Sequence, residues 1–404
     1  MLSHKALIVG PNVGVSMGKG GGVRVATKMA EALAENSFFV YLSALKGYPL
    51  NYLGSIHNTN LVKHRGKIQT HYLVNLRDEL EKTKTLSATL PIHVGVLPFL
   101  IYLKYVIKRF SPHILLFHDD IPLFVRNEVR KQPTFLYVHF SYATRLKLGV
   151  GDIAEITMAS KQHIERLLNP LLRKLIFMDN NPADIIVANS SVTASFLKQT
   201  WNRSDVVVLP PPVDTNLFEP SLVKENLVVA LGSIQPNKRF GDVIKAINMV
   251  SSECRLIIIG HYSEAKYYHE LLKLIKGMRL EKKVRIVLDA SQRRVRDTLS
   301  RAKIIVHASQ FEPFGIAVVE GMASGCVPIV YDGTKSGPWV DIINKGEFGL
   351  GFRTINDLSR NIEKILCDEK AYAYYGNKAK GRSKRFDTGT FKHDFMRLLK
   401  CTGL

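Results

Sequence analysis

Residues His307–Asp332 read HASQFEPFGIAVVEGMASGCVPIVYD. They begin where a short apolar run ends, Lys303–His307 (KIIVH), and such a run predicts a buried strand. A loop carrying Glu312 follows, and Pro313-Phe314-Gly315 opens an amphipathic helix expected over 315–324. Ser324-Gly325 stops that helix, and Val327–Tyr331 is a second apolar strand. Strand, loop, glycine at a helix start, strand is how α/β proteins build an anion site at the carboxyl ends of a parallel sheet. Glu312 and Glu320 add carboxylates that can hold ligand hydroxyls.

The spacing limits what this pair can do. The two glutamates are eight positions apart, and eight residues of continuous helix rise about 12 Å. A glycoside hydrolase needs its two carboxyls about 5–5.5 Å apart when retaining, or about 6.5–9.5 Å when inverting. Glu312 and Glu320 therefore read as two contacts along one extended ligand.

The same alternation extends in both directions. Towards the C-terminal side of the chain, strands are expected at Leu227–Leu231, Arg255–Gly260, Val284–Leu288, 303–307 and 327–331, separated by helices at 240–250, 264–278, 292–301 and 315–324. Short apolar strands alternating with helices predict a parallel, doubly wound sheet. Pro210-Pro211-Pro212 cannot continue a ladder or a helix, so a boundary is expected there. Before it, strands are expected at Ala6–Gly10, Phe38–Leu42, Ile68–Val74, Ile114–His118, Phe135–His139, Ala183–Asn189 and Val206–Leu209. Helices are expected at Val23–Glu35, Leu97–Phe110 and 150–178. Residues 45–110 carry the weakest pattern.

Composition bounds the partners. At 404 residues, 46% hydrophobic and 23% charged, the chain is long enough for two domains with separate cores. The net charge of +21 suits anionic lipid headgroups or phosphorylated substrates, or is a plain solubility bias. Nucleic acid is not expected, because the basic residues are dispersed and no recognition motif is present. Cys254, Cys326, Cys367 and Cys401 are scattered, without a CxxC pair or a secretory leader, which predicts a cytoplasmic chain or one peripheral on the cytoplasmic face of a membrane. The most apolar run, Pro91–Tyr105, is interrupted by His93 and Lys104 and is shorter than a membrane span, so none is expected.

Three further stretches carry candidate chemistry. Gly18-Lys19-Gly20-Gly21-Gly22 lies between a strand and a helix start, where glycines let a backbone approach an anion. It is neither a Walker loop, since Gly20 follows Lys19, nor a dinucleotide fingerprint, since no acidic residue ends the next strand. Lys238, in the loop 232–238, is a point charge able to meet a diphosphate. His139 and His118-Asp119-Asp120 each end a strand. The adjacent carboxylates have oxygen ligands suited to Mg²⁺, yet a polar loop is the preferred reading. The segment Leu97–Phe110 (LPFLIYLKYVIKRF) reads either as a buried helix with a basic edge or as one lying on a membrane surface.

The segment SQFEPFGIAVVEGMASGCVPIV resembles the signature of the retaining GT-B glycosyltransferases, the group 1 family with the Glu-x7-Glu motif. Ser336-Gly337-Pro338-Trp339-Val340-Asp341 is similar to the members that add α-1,2-mannoses to dolichol-linked oligosaccharide. The resemblance is close over 225–345, looser at 18–35 and 135–145. It implies two Rossmann-like domains facing across a cleft: an acceptor-binding domain over 1–212, a linker over 213–225, a nucleotide-sugar domain over 226–375, and C-terminal helices over 376–404 crossing back. It implies that Glu312 contacts the donor sugar and that Phe314, Gly315 and Ile316 offer backbone N–H groups to the diphosphate. Glu320, two turns into the helix, would take the ribose hydroxyls. Gly21 and Gly22 would face donor and acceptor, His139 the transferred sugar, and Lys238 the diphosphate. The family's other basic residue is Ser233 here, so either Arg239 compensates or Lys238 and backbone amides suffice. Asp289, at the end of a strand, is placed near the base.

The activity implied is metal-independent hexosyl transfer with retention, using a nucleotide diphosphate sugar as co-substrate and no other cofactor. GDP-mannose is the first donor and a lipid-linked glycan or glycolipid the first acceptor. The alternatives are a UDP-sugar with a soluble acceptor, or a nucleotide-sugar 2-epimerase.

Overall fold

The computed structural model describes residues 4–11, 16–17, 20–75, 92–139 and 183–403. The helix expected over 150–178 lies outside them, as do Gly18 and Lys19. The chain forms two compact units. One comprises Met1–Asn189, Thr193–Pro212 and Phe391–Leu404, the other Ser190–Val192 and Val213–Thr390.

The first unit is built on β1 (Lys5–Val9), β2 (Ser16–Met17), β3 (Phe39–Gly47), β4 (Ile68–Asn75), β5 (Ile114–His118), β6 (Thr134–Val138), β7 (Ile185–Ala188) and β8 (Val207–Val208). All pairings are parallel, in the order β4-β3-β1-β5-β6-β7-β8. β2 pairs with β3 at Lys46 and Gly47, beyond the stretch where β1 pairs with it. Side chains alternate across a strand, and β1 divides accordingly. Ala6 and Ile8 enter one core with Val25, Met29 and Leu33 of α1 (Gly21–Glu35) and with Phe391, Phe395 and Leu399 of the chain's last helix. Leu7 and Val9 enter the other, with Leu103, Val106 and Ile107.

Several elements differ from expectation here. β3 runs on to Gly47 rather than stopping at Leu42, because both neighbours continue the ladder there although Ser43 and Lys46 are polar. A helix unforeseen in the sequence, α2 (Leu50–His57), buries only one narrow face and carries Gly54 at its centre, which weakens its periodicity. The next helix, α3 (Ile92–Phe110), starts before Leu97; Pro98 lies inside it and masks the continuity in the sequence.

The second unit holds β9 (Glu225–Leu231), β10 (Arg255–Gly260), β11 (Val284–Leu288), β12 (Ala302–His307), β13 (Val327–Tyr331) and β14 (Leu350–Phe352). They are parallel in the order β11-β10-β9-β12-β13-β14. Only β14 was not expected. Both sheets are thus doubly wound, and each reverses its winding once: between β1 and β5, and between β9 and β12. Ligands of open parallel sheets bind beyond the strand carboxyl ends at that reversal. The loops leaving β9 and β12 carry Lys238 and Glu312.

Candidate active site

In the second unit, β9 ends at Leu231 and the chain turns through Gly232 into a single 3-10 turn, Pro236–Lys238. A Cβ on Gly232 would sit 3.3 Å from Lys238 Cδ, so the lysine stem lies against this glycine. Its ammonium donates to Glu312 Oε2 at 2.5 Å, a partner 74 residues away that β12 brings alongside. His307, the buried last residue of β12, places Nε2 3.2 Å from the same oxygen. Its Nδ1 is buried with no partner among the described residues. A carboxylate facing Nε2 favours the tautomer with its proton there, which leaves only a lone pair at Nδ1. The Ser309 hydroxyl lies 2.8 Å from the Asn237 carbonyl and 3.0 Å from that of Phe311, tying the two loops together.

Burial alone would raise the Glu312 carboxyl. The Lys238 ammonium and the His307 ring override it and hold the group well below the usual carboxylate range. Both protein donors use Oε2. Oε1 accepts from no side chain among the described residues, and the side chain keeps 17% of its exposure.

The Glu312 backbone is held from behind. The Gly337 N–H donates to the Glu312 carbonyl at 2.7 Å, and the Glu312 N–H to the Lys335 carbonyl at 3.3 Å. A Cβ at Gly337 would fall 2.1 Å from the Pro313 carbonyl oxygen, so only glycine allows this approach. Gly315 then caps the helix Ile316–Ala323 with φ of 96°, a conformation that suits glycine, and no side chain caps the helix. A Cβ at Gly315 would also press to 2.7 Å from Pro338 Cγ. Gly315→Ala should therefore cost about 2–4 kcal/mol through left-handed strain and overpacking, visible as a lower urea midpoint. Gly321 lays the helix on β12, since a Cβ there would lie 2.6 Å from Ile305 Cδ1. Glu320 is buried on this helix. The helix opens at Ile316 and Glu320 is its fifth residue, little more than one turn in rather than the two turns expected.

The other expected residues distribute unevenly. Phe314 is buried edge-on against Phe386. Arg239 is left-handed, and its guanidinium pairs with Asp242 at 2.7 Å and covers the Tyr331 ring. Ser233 is half-buried and Asp289 exposed. Among the described residues no hydrogen bond joins either to Lys238 or Glu312. His307 carries no signal in the sequence beyond a strand-end histidine, and Ser336–Gly337 stands out by resemblance without disclosing that it holds the Glu312 backbone.

In the first unit, α1 starts at Gly21 directly after Gly20, which has φ of 126°. A Cβ on Gly22 would lie 3.0 Å from Pro11 and 3.2 Å from His139 Nε2, so the bare backbone admits the ring. His118 Nδ1 is 3.1 Å from His139 Nε2, and the rings stack. Burial lowers both histidines; Asp119 partly opposes this for His139, while His139 adds to it for His118. Both rings are neutral near pH 7, so one donates to the other. Asp119 accepts the His139 backbone N–H at 2.9 Å, and Asp119 and Asp120 are buried rather than in an open polar loop. Gly22, His118 and His139 thus meet at the first sheet's reversal point. Phe140-Ser141-Tyr142 lies outside the described residues. Among the described residues no group of three or more His, Cys, Asp or Glu could hold a metal ion.

Comparison with known proteins matches residues 19–217 to the family described as Glycosyltransferase Family 4 and residues 214–382 to the family described as Glycosyl transferases group 1. The chain is 22% identical over 238 residues to a GDP-Man:Man(3)GlcNAc(2)-PP-Dol alpha-1,2-mannosyltransferase of Dictyostelium discoideum, covering 54% of this chain and 47% of that protein. The match therefore spans about half the length of that relative. It is 28% identical over 270 residues to N-acetylgalactosamine-N,N'-diacetylbacillosaminyl-diphospho-undecaprenol 4-alpha-N-acetylgalactosaminyltransferase of Campylobacter jejuni, covering 64% of this chain and 71% of that protein. A solved glycosyltransferase from Rickettsia africae superposes with a TM-score of 0.69 at 16% identity, covering 100% of this chain and 99% of that one. With two parallel doubly wound units, the chain has the GT-B fold and carries a Glycosyltransferase Family 4 domain over 19–217 followed by a Glycosyl transferases group 1 domain over 214–382.

Proposed function

We propose that the chain transfers a hexose, mannose from GDP-mannose in the first instance, to a hydroxyl of a lipid-linked glycan or glycolipid. The anomeric configuration is retained and no metal is required. The observation that carries this is the Lys238–Glu312–His307 cluster beside the uncapped, Gly315-opened helix at the second sheet's reversal point. An ammonium has three donors. Lys238 gives one to Glu312, and the others are available to diphosphate oxygens. With the positive end of the helix, they oppose the charge that develops on the leaving diphosphate. Glu312 Oε1 faces the sugar hydroxyls, and Glu320 takes the ribose. Gly21 and Gly22 serve the diphosphate and acceptor, and His139 contacts the transferred sugar. Phosphate binding falls to Lys238 and the Phe314, Gly315 and Ile316 backbone, because Arg239 is committed to Asp242. Asp289 is the candidate for reading the base. The leaving phosphate takes the acceptor's proton.

Calorimetric titration with GDP and UDP in parallel tests the donor; GDP should bind more tightly, and failure of both would refute a nucleotide-sugar site. The Campylobacter relative transfers N-acetylgalactosamine, so tighter UDP binding would move the donor to a UDP-sugar. Turnover only with acceptor present separates transfer from 2-epimerisation. Glu320→Ala should raise the donor KM about tenfold or more, the worth of a charged hydrogen bond, while leaving kcat at saturating donor within a few fold. An unchanged KM would remove Glu320 from the ribose site.

A further inference from the structure

We infer that the outer face of α3, with the neighbouring segment around Phe124, docks on an anionic lipid surface. The inner face of α3 is used up by the fold: Phe99, Leu100, Leu103, Val106 and Ile107 are buried against the sheet. The opposite face is not polar, as an ordinary sheet-packed helix would have it. Pro98, Ile101, Tyr105 and Lys108 follow one another along it at helical spacing, all exposed, with Ile101 at 56% and Tyr105 at 58%. Tyr102 stacks beside Tyr105.

A second element extends the patch. Lys104 covers the ring of Phe124, itself 37% exposed, and pairs with Glu128 at 3.4 Å. The rim is basic. Lys108, Arg109, Arg126, Arg130 and Lys131 are exposed around it, and α3 contains no acidic residue. Aliphatic and aromatic side chains at the centre with lysine and arginine at the edge are the make-up of an interfacial helix. The apolar tips enter the headgroup boundary, and the cations meet lipid phosphates. Charge chooses the occupant: a chain of net charge +21 repels a second copy of itself, whereas an anionic bilayer attracts it. No helix of the described residues is long and apolar enough to cross a membrane, and α3 could not leave the sheet without exposing its core face. It lies on the surface. The purpose of this docking rests on the lipid-linked acceptor proposed above, but its test does not.

The test is co-sedimentation of the full chain with phosphatidylcholine vesicles, with and without phosphatidylglycerol, at low and high salt. Binding is expected to the anionic vesicles and to weaken with salt. Lys108→Glu with Arg109→Glu should weaken it at least tenfold, since each cation near such a surface contributes about fivefold. Ile101→Ser with Tyr105→Ser should also lose about tenfold, an effect that charge attraction alone would not produce. Both pairs are exposed, and the urea midpoint reports that each variant is folded. Equal sedimentation with both vesicle types, or wild-type binding by either variant, overturns the proposal. So does concentration-dependent self-association, abolished by Ile101→Ser with Tyr105→Ser, in place of vesicle binding. Since no sugar donor enters the assay, vesicle binding by a chain that transfers nothing would count against the proposed activity alone.

Discussion

Glu312→Ala is expected to lower kcat about 100- to 1,000-fold, the loss that follows removal of one preorganised electrostatic contact to a reacting centre. Two effects combine. The sugar loses the carboxylate oxygen that no side chain among the described residues occupies, and Lys238 loses the partner that fixes its ammonium 2.5 Å from Oε2. A freed lysine swings on four carbons, so the diphosphate meets a mobile charge rather than a placed one. Stability should fall by only about 1–3 kcal/mol, since the site keeps some solvent access to hydrate the orphaned cation. Glu312→Gln separates the two effects. It keeps the shape and accepts from Lys238 or His307, yet cannot neutralise the lysine. Steady-state kinetics with saturating donor reads the outcome, with urea unfolding as control. Near-wild-type turnover in Glu312→Ala would remove this residue from the active site. A loss fully restored in Glu312→Gln would assign it positioning alone.

What the sequence discloses about this site is its local part. The segment from β12 to β13 is contiguous, so Glu312, Gly315 and Glu320 can be placed from strand, loop and helix signals alone. Lys238 and Glu312 are also visible singly, but their pairing requires β9 and β12 to be neighbours, a consequence of strand order that no residue pattern states. His307 fails for a different reason. At a strand end it looks like any half-buried histidine, and only the turn of the loop brings Glu312 back over its Nε2. Ser336–Gly337 stands out by resemblance, yet its physical task, holding the Glu312 backbone, depends on a close approach to Pro313 that cannot be read from composition. In the first unit the same division holds. The strands of Ile114–His118 and Thr134–Val138 are plain in the sequence; the stacking of His118 on His139, and Gly22 against the ring, are not.

Lys238→Met is expected to cost a similar 100- to 1,000-fold in turnover and to change its pH dependence as well. Methionine keeps a flexible stem over Gly232, so packing changes little. In the wild type the Glu312 carboxyl lies well below its ordinary value despite burial. A carboxyl lowered in this way contributes stability above its unfolded value, about 4.3, and loses it only as pH falls through the lower folded value. Donor binding should thus show no acid limb from Glu312 between about pH 5 and 8, where the group is fully ionised. Removing the ammonium leaves burial raising the carboxyl against the His307 ring alone. The group should then rise towards the ordinary carboxylate range, because an adjacent opposite charge no longer favours its ionised form. An acid limb in nucleotide affinity, absent from the wild type, should appear as pH falls through that range. Calorimetric titration of the nucleotide across that range, for wild type and variant, measures it. Identical profiles with reduced turnover would mean that Lys238 meets the phosphates without governing Glu312. Unchanged turnover would place the leaving-group charge on the helix amides alone.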